Sequence, residues 1–495
     1  MHGADSPATF QRPTLTEKIL WPALFLLIVA YGLSLLRGGY MHYEGQFFLA
    51  NYLDDRSLFQ KVFGAHFNNW DCYQARELSF LFGLIDSQAI VVSTRLGLPF
   101  LYSLTSALAI VVAAVLLWRL IPRIAPRLSI TEAGLIVSLM LVTPSVALSS
   151  YYYRPGKALV AVFLVTASWQ AFRLTAGARD RNTTLDAGLL FVCAVLMGWS
   201  DPQGVFFTLV LMVVIFGVAG FRTRSARVAY AGLFSALIVN TIWRLAIGPK
   251  LSLVADSFAP VTTYENVPVR YTFGQFHHYR SALSLWLDSI GHFFGNSGEI
   301  GGAVCLILVA VAYWNRSNDQ PKGTLFQRRR PFVVLLVVAG MLLALNTAMY
   351  AKLTSIAWPE SRLVYYWIPA MVVIAIIASI ALDSSFAISG RLRKPVILAL
   401  GLMLCTSVLS LPRFQEVVRD GEQRVMIAES ARVRDCMGSP KTPIAGYRLT
   451  AAGAQACSSV RLAAFGSVGS GPAIAAAVPN PLLWCRRARS DQRPK

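Results

Sequence analysis

Charged side chains are scarce. Only 14% of the 495 residues are Asp, Glu, Lys or Arg, where a soluble chain carries about 25%. So little charge cannot cover the surface of several water-facing domains, which excludes a cytosolic enzyme and a charged disordered chain. Acid is the scarcer sign: 25 Asp and Glu stand against 45 Lys and Arg, a net charge of +20. Seven cysteines and six histidines are present with no CxxC pair, so neither a disulfide scaffold nor a zinc ribbon is encoded. No zinc-finger or RNA-binding signature accompanies the basic residues, most of which lie in short connections between apolar runs. That placement argues against nucleic acid as a partner.

What the sequence does contain is apolar length. Apolar residues make up 55% of the chain, and they collect in runs near the length that crosses a hydrocarbon core about 30 Å thick at about 1.5 Å per helical residue. The runs fall at 19–36, 98–118, 132–149, 157–172, 186–200, 205–220, 228–247, 299–315, 332–350, 365–382 and 396–412. The first is not a cleaved leader, since it runs into Arg37 and a Gly pair without a small-residue cleavage site. The expected fold is an all-α polytopic membrane protein of about eleven transmembrane helices, with a membrane domain over 1–412 and a tail over 413–495.

Positive charge sets the expected orientation. Arg119, Arg123 and Arg127 follow the second run; Arg173, Arg179 and Arg181 the fourth; Arg222, Arg224 and Arg227 the sixth. Arg316, Lys322 and Arg328 to Arg330 follow the eighth, and Arg391, Arg393 and Lys394 the tenth. The intervening connections are poorer in Lys and Arg for their length. The alternation predicts a cytoplasmic N-terminus and puts the 37–97 loop, the 249–298 loop and the tail on the opposite side. Loops of that size in a compact protein are usually functional, so chemistry is expected there.

Two helices are expected within the first loop. Leu58, Phe59, Val62, Phe63 and Phe67 recur at helical spacing with Gln60, Lys61 and His66 between them. From Gln74 to Val92, Leu78, Leu81, Phe82 and Ile85 form one stripe, with Arg76, Glu77 and Asp86 off it. Such helices suit a position in the membrane interface with the apolar side in lipid. Of the cysteines, Cys193, Cys305 and Cys405 lie in apolar runs and are expected as small core residues. Cys72, Cys436, Cys457 and Cys485 lie on the non-cytoplasmic side, where a Cys436–Cys457 disulfide is expected.

Glu44 stands in Tyr43-Glu44-Gly45-Gln46-Phe47-Phe48, eight positions past the first run; Asp54, Asp55, Asp71 and Glu77 follow. A partly desolvated carboxylate at the membrane edge suits a general base for an alcohol acceptor. It equally suits a ligand of a divalent metal, or a cap or ion pair with Arg37 or Arg56. Basic and aromatic residues gather in the other connections on this side: Tyr151-Tyr152-Tyr153-Arg154-Pro155-Gly156-Lys157, Glu360-Ser361-Arg362-Leu363-Val364-Tyr365-Tyr366, and Arg270, His277, His278 and Arg280 in the large loop. Tyrosines anchor at headgroup depth, whereas Arg and Lys grip phosphate through charge-assisted hydrogen bonds. Asp201, in Trp199-Ser200-Asp201-Pro202-Gln203-Gly204, is a lone acid in a tight turn and is expected to cap the sixth run.

This order of features resembles the GT-C superfamily of membrane glycosyltransferases. Tyr43-Glu44-Gly45-Gln46-Phe47-Phe48 is similar to the Asp-Gly-Gln-Phe/Tyr-Tyr motif of bacterial members, with Glu44 in place of the usual Asp. Arg362-x-x-Tyr365-x-x-x-Pro369 is similar to their late Arg-Tyr…Pro element. The likeness covers the topology of about 1–412 and leaves the tail unmatched. It implies an inverting glycosyltransferase of a bacterial inner membrane that moves a sugar from a polyprenyl-phosphate donor to a glycan, lipid or protein acceptor on the periplasmic face, in cell-envelope synthesis. Glu44 is then the base, with Asp54, Asp55 and Asp71 in reserve. Arg154, Lys157, Arg280 and Arg362 hold the lipid phosphate, and Tyr43, Gln46, Tyr153, His277, His278 and Tyr365 line the site. No cofactor is fixed beyond a possible divalent metal. Two other classes fit the same outline: a flippase or transporter of lipid-linked sugars, which would carry ionisable residues deep in its spans, and a non-catalytic membrane scaffold.

Overall fold

The computed structural model describes residues 15–36, 57–63, 75–95, 103–143, 146–147, 155–175, 183–221, 223–256, 334, 337–349, 367–388 and 393–412. Among these every regular element is a helix and no strand occurs. In chain order they are α1 (Leu15–Leu36), α2 (Leu58–Phe63), α3 (Glu77–Arg95), α4 (Leu104–Ile124), α5 (Ile130–Leu141), α6 (Gly156–Thr175), α7 (Thr183–Ser200), α8 (Gln203–Ala219) and α9 (Arg224–Ile242). A π-helical turn, Trp243–Ile247, carries α9 into α10 (Gly248–Asp256). Then follow α11 (Val337–Met349), α12 (Ile368–Ile388) and α13 (Arg393–Pro412). Among the described residues six stretches are long and apolar enough to cross a membrane: Ile19–Leu36 of α1, α4, α6, α7, the continuous Arg224–Ala255 run and α13. Four shorter apolar helices, α5, α8, α11 and α12, lie among them. The chain is an α-helical, membrane-embedded protein.

Helix α6 runs through the centre, packed by α4, α7, α8 and α12. Its residues Ala158 to Ala161, with Leu164 and Val165, are almost wholly buried. Small side chains let the helices approach, as in other membrane bundles. A Cβ on Gly198 of α7 would stand 2.5 Å from the Asn240 amide of α9, and that close fit lets Asn240 Nδ2 donate to the Ala194 carbonyl at 3.1 Å.

One end of the bundle is tied by arginine. The Arg127 backbone N–H donates to Asp383 at 2.7 Å and its guanidinium at 3.0 Å. Arg393 makes two 2.6 Å bonds to Glu132, which also closes a capping box with Ser129 at the start of α5. Arg173 meets Asp186 at 3.2 Å, and Arg123 lies 4.1 Å over the Trp169 ring. At this end α4, α6 and α12 finish, and α5, α7 and α13 begin.

The opposite end gathers the end of α1, the end of α5 and the starts of α4 and α6. Tyr31 near the end of α1 donates to the Thr143 carbonyl just past α5 at 2.7 Å. Ser407 of α13 reaches the Val142 carbonyl, and Asp86 of α3 accepts from Thr105 at the start of α4. Gln60 of α2 donates to the Ala255 carbonyl of α10 at 3.3 Å. Here α6 and α8 begin and α7 finishes around Asp201.

Several boundaries differ from the sequence expectation. The second run, expected at 98–118, appears as α4 ending at Ile124, so Arg119 and Arg123 lie on the helix with their side chains exposed. Long basic side chains at a helix end extend toward water while their stems stay on the helix. The large loop expected from 249 begins with helix as far as Asp256; Pro249, which has no N–H to donate to the preceding turn, directly follows the π-helical turn Trp243–Ile247. Cys193 is buried as expected, but Cys405 is exposed on α13. The expected Cys436–Cys457 pair and the tail lie outside the described residues.

Candidate functional site

The candidate site grows from one turn. Helix α7 finishes at Ser200 and α8 starts at Gln203, leaving Asp201-Pro202 to reverse the chain. The Asp201 N–H closes the last turn of α7 on the Met197 carbonyl at 3.1 Å, and the Asp201 carbonyl accepts from Gly204 N–H at 2.8 Å. Its carboxylate accepts from the Gln203 N–H at 3.0 Å, so it caps α8 as expected.

The same carboxylate has a second task. Lys157 Nζ stands 2.5 Å from Asp201 Oδ1, and Arg76 Nε stands 3.4 Å from Oδ2. All three are buried: Lys157 is 1% exposed, Asp201 3% and Arg76 7%. Gly156 makes the approach possible, because a Cβ there would lie 2.5 Å from the Ser200 carbonyl oxygen and 3.1 Å from Ser79 Oγ. Burial alone would raise the Asp201 carboxyl, but the Lys157 ammonium and the Arg76 guanidinium outweigh it and hold the group well below the ordinary carboxylate range. The triad therefore ties the starts of α3, α6 and α8 to the end of α7.

An aromatic row lies beside it. Glu77 accepts from Trp243 Nε1 at 3.0 Å. The Trp243 ring stacks 4.6 Å from Trp199 and 6.4 Å from Phe63, which lies 5.0 Å from Phe59. The row joins α2, the π-helical turn and α7; π turns recur at functional positions. Among the described residues, both atoms of the buried Gln203 amide, Trp199 Nε1 and Asn240 Oδ1 have no hydrogen-bond partner. Unpaired buried polar atoms are rare and call for water or a ligand group.

Helix α3 presents its polar side to this cluster. Arg76, Glu77, Ser79, Asp86 and Ser87 are buried, whereas Leu81 and Ile85 are exposed. Asp86 accepts from the Thr105 N–H at 2.7 Å and from Thr105 Oγ1 at 2.6 Å, capping α4. Burial nevertheless pushes its carboxyl up to about 7.

Of the residues expected to carry chemistry, Lys157 alone falls among the described ones. Its ammonium meets the Asp201 carboxylate. Glu44, Asp54, Asp55, Asp71, Arg154, Arg280 and Arg362 lie outside the described residues, as do Tyr43, Gln46, Tyr153, His277, His278 and Tyr365. Their described chain neighbours can be placed. Leu36 of α1, Ser57 before α2, Ala75 before α3, Pro155 before α6 and Trp367 before α12 lie at the Asp201 end; the stretch that holds His277, His278 and Arg280 is bounded by Asp256 at that end and by Val334, against Gly217, at the other. Among the described residues no three His, Cys, Asp or Glu side chains gather as a metal site.

Sequence reasoning singled out Asp201 as a cap and left Arg76, Glu77, Gln203, Trp199, Asn240 and Trp243 unassigned. A usable signal was present: a buried acid between two apolar runs needs a cation, and Lys157 and Arg76 stand at the starts of runs facing the same side. Comparisons with protein-family models and with curated proteins match no family and no relative to this chain.

Proposed function

We propose that the chain is an inverting glycosyltransferase of a bacterial inner membrane, of the GT-C kind that its motifs resemble, with about eleven spans and a cytoplasmic N-terminus. The arginine end is then cytoplasmic and the Asp201 end periplasmic. The observation that carries the reading is convergence. The described residues nearest in the chain to Glu44, Asp54, Asp55, Asp71, Arg154 and Arg362 belong to the Asp201 end, where charge is already gathered inside the protein.

The chemistry follows from the residue types. Glu44 takes the proton from an acceptor hydroxyl, and the freed oxygen attacks the anomeric carbon of the donor sugar. The bond from that carbon to the phosphate oxygen breaks with inversion, and the electron pair leaves on the polyprenyl phosphate. Arg154, Arg280 and Arg362 stabilise that growing negative charge. Lys157 and Arg76, both held by the Asp201 carboxylate, position the segments that carry Arg154 and Asp71. A divalent metal, if used, would be held by Glu44 and the neighbouring aspartates. The test is transfer by purified protein in lipid from a synthetic polyprenyl-phosphate sugar: wild type releases polyprenyl phosphate, and Glu44→Gln folds but does not.

A further inference from the structure

Helix α2 is lightly held. It has six residues and none of them is buried; Leu58 and Phe59 are exposed, and Gln60 to Phe63 are half-buried. A helix this short is not stable alone, because nucleation costs more than its few hydrogen bonds return. Its order must come from what it leans on, which is α3 and α10.

Two contacts define the dock. Ser57 and Gln60 first cap the helix reciprocally: the Ser57 N–H donates to Gln60 Oε1 at 3.1 Å, and the Gln60 N–H to Ser57 Oγ at 3.3 Å. The other end of that amide, Nε2, donates to the Ala255 carbonyl at 3.3 Å, a group that the end of α10 leaves without a helical partner. One side chain thus closes the first turn of α2 and docks it. A turn later Phe63 meets Trp243, the first residue of the π-helical turn, with 6.4 Å between ring centres. Trp243 itself is anchored: Nε1 donates to the buried Glu77 carboxylate, and the ring rests on Trp199. The weak joint therefore lies between α2 and this anchored pair.

We infer that α2 is a strap at the Asp201 end, docked through Gln60 and Phe63, which releases as a unit and bares Trp243. The inference rests on packing and holds whatever reaction this end performs. Hydrogen exchange of the purified full chain in detergent, read by mass spectrometry, tests it. The signal comes from the Lys61 amide, bonded to the Ser57 carbonyl at 2.9 Å, and from those of Val62 and Phe63 after it. In wild type they exchange more slowly than an unstructured chain but at least about 100-fold faster than the centre of α6, the pattern of local opening. Phe63→Leu speeds them about fivefold, the scale of one aromatic pair. Gln60→Glu keeps the oxygen that caps α2 and loses the donor to Ala255, and it speeds them to a similar degree. Exchange in α6 and α7 is unchanged in both variants, which also shows that both fold. Wild-type α2 amides as slow as those of α6 overturn the inference, and so do amides as fast as an unstructured chain. An unchanged α2 rate in Gln60→Glu or in Phe63→Leu overturns it too, as does acceleration that spreads to α6 and α7.

Discussion

Replacing Asp201 by Asn keeps the shape of the side chain and removes its charge, leaving Lys157 and Arg76 buried around a neutral group. Lys157 is 1% exposed, so neither water nor a small rotation can resolvate its ammonium. Breaking a buried ion pair by removing one partner costs about 3–5 kcal/mol, because the remaining charge stays desolvated. Asp201 also caps α8 through the Gln203 N–H, a bond that Asn retains. The loss therefore reports charge rather than capping. Thermal or denaturant unfolding of purified protein in detergent reads it: Asp201→Asn lowers stability by that amount. Asp201→Leu combined with Lys157→Met restores part of the loss, since the shortest arm of the cluster then holds no lone charge. An Asp201→Asn variant within about 0.5 kcal/mol of wild type would refute the buried triad as the tie between α3, α6, α7 and α8, because surface substitutions have that scale.

Other consequences are as direct. The Asp86 carboxyl is held near pH 7 by burial, so the folded protein binds that proton more tightly than the unfolded chain does. Stability is then fullest at or below the ordinary carboxylate range and falls as pH rises through about 7, by up to about 4 kcal/mol; melting midpoints measured from about pH 5 to about pH 8 fall in wild type and flatten in Asp86→Asn. Gly156→Ala places a methyl group against the Ser200 carbonyl, and a loss of about 1–3 kcal/mol in the same unfolding assay is expected. Arg362→Ala weakens binding of a non-transferable polyprenyl-phosphate sugar about tenfold, the scale of one charge-assisted hydrogen bond; unchanged affinity removes Arg362 from the phosphate.

Which parts of this were legible in the sequence follows from the range of the forces involved. Apolar length is a local property, so α1, α6, α7, α8, α12 and α13 lie within a few residues of the expected runs. Boundaries set by distant partners were not legible. The register of α4 is tied to Asp86, which binds Thr105 from nineteen residues away, and its last turn rests on Trp169 through Arg123. The stripe of Leu78, Leu81, Phe82 and Ile85 could be counted on α3, yet where its polar side goes depends on neighbours. Here Glu77 meets Trp243 and Arg76 meets Asp201, contacts made across more than a hundred residues. Lys157 and Asp201 were each visible as unusual charges in an apolar chain, and the need of a buried acid for a cation pointed to a basic partner on the same side, but their spacing in the sequence does not fix the contact between them. Lys157 was expected as a phosphate ligand, and among the described residues its ammonium meets Asp201.

The central claim is that the Asp201 end performs glycosyl transfer with Glu44 as base, and turnover tests it most directly. Purified wild type and Glu44→Gln, reconstituted in lipid, would be given a radiolabelled polyprenyl-phosphate sugar and a membrane extract as acceptor source. Release of polyprenyl phosphate with labelled product by wild type, reduced at least about 100-fold in a stably folded Glu44→Gln, is the predicted result, on the scale of a lost general base. Equal turnover by the two proteins would contradict it.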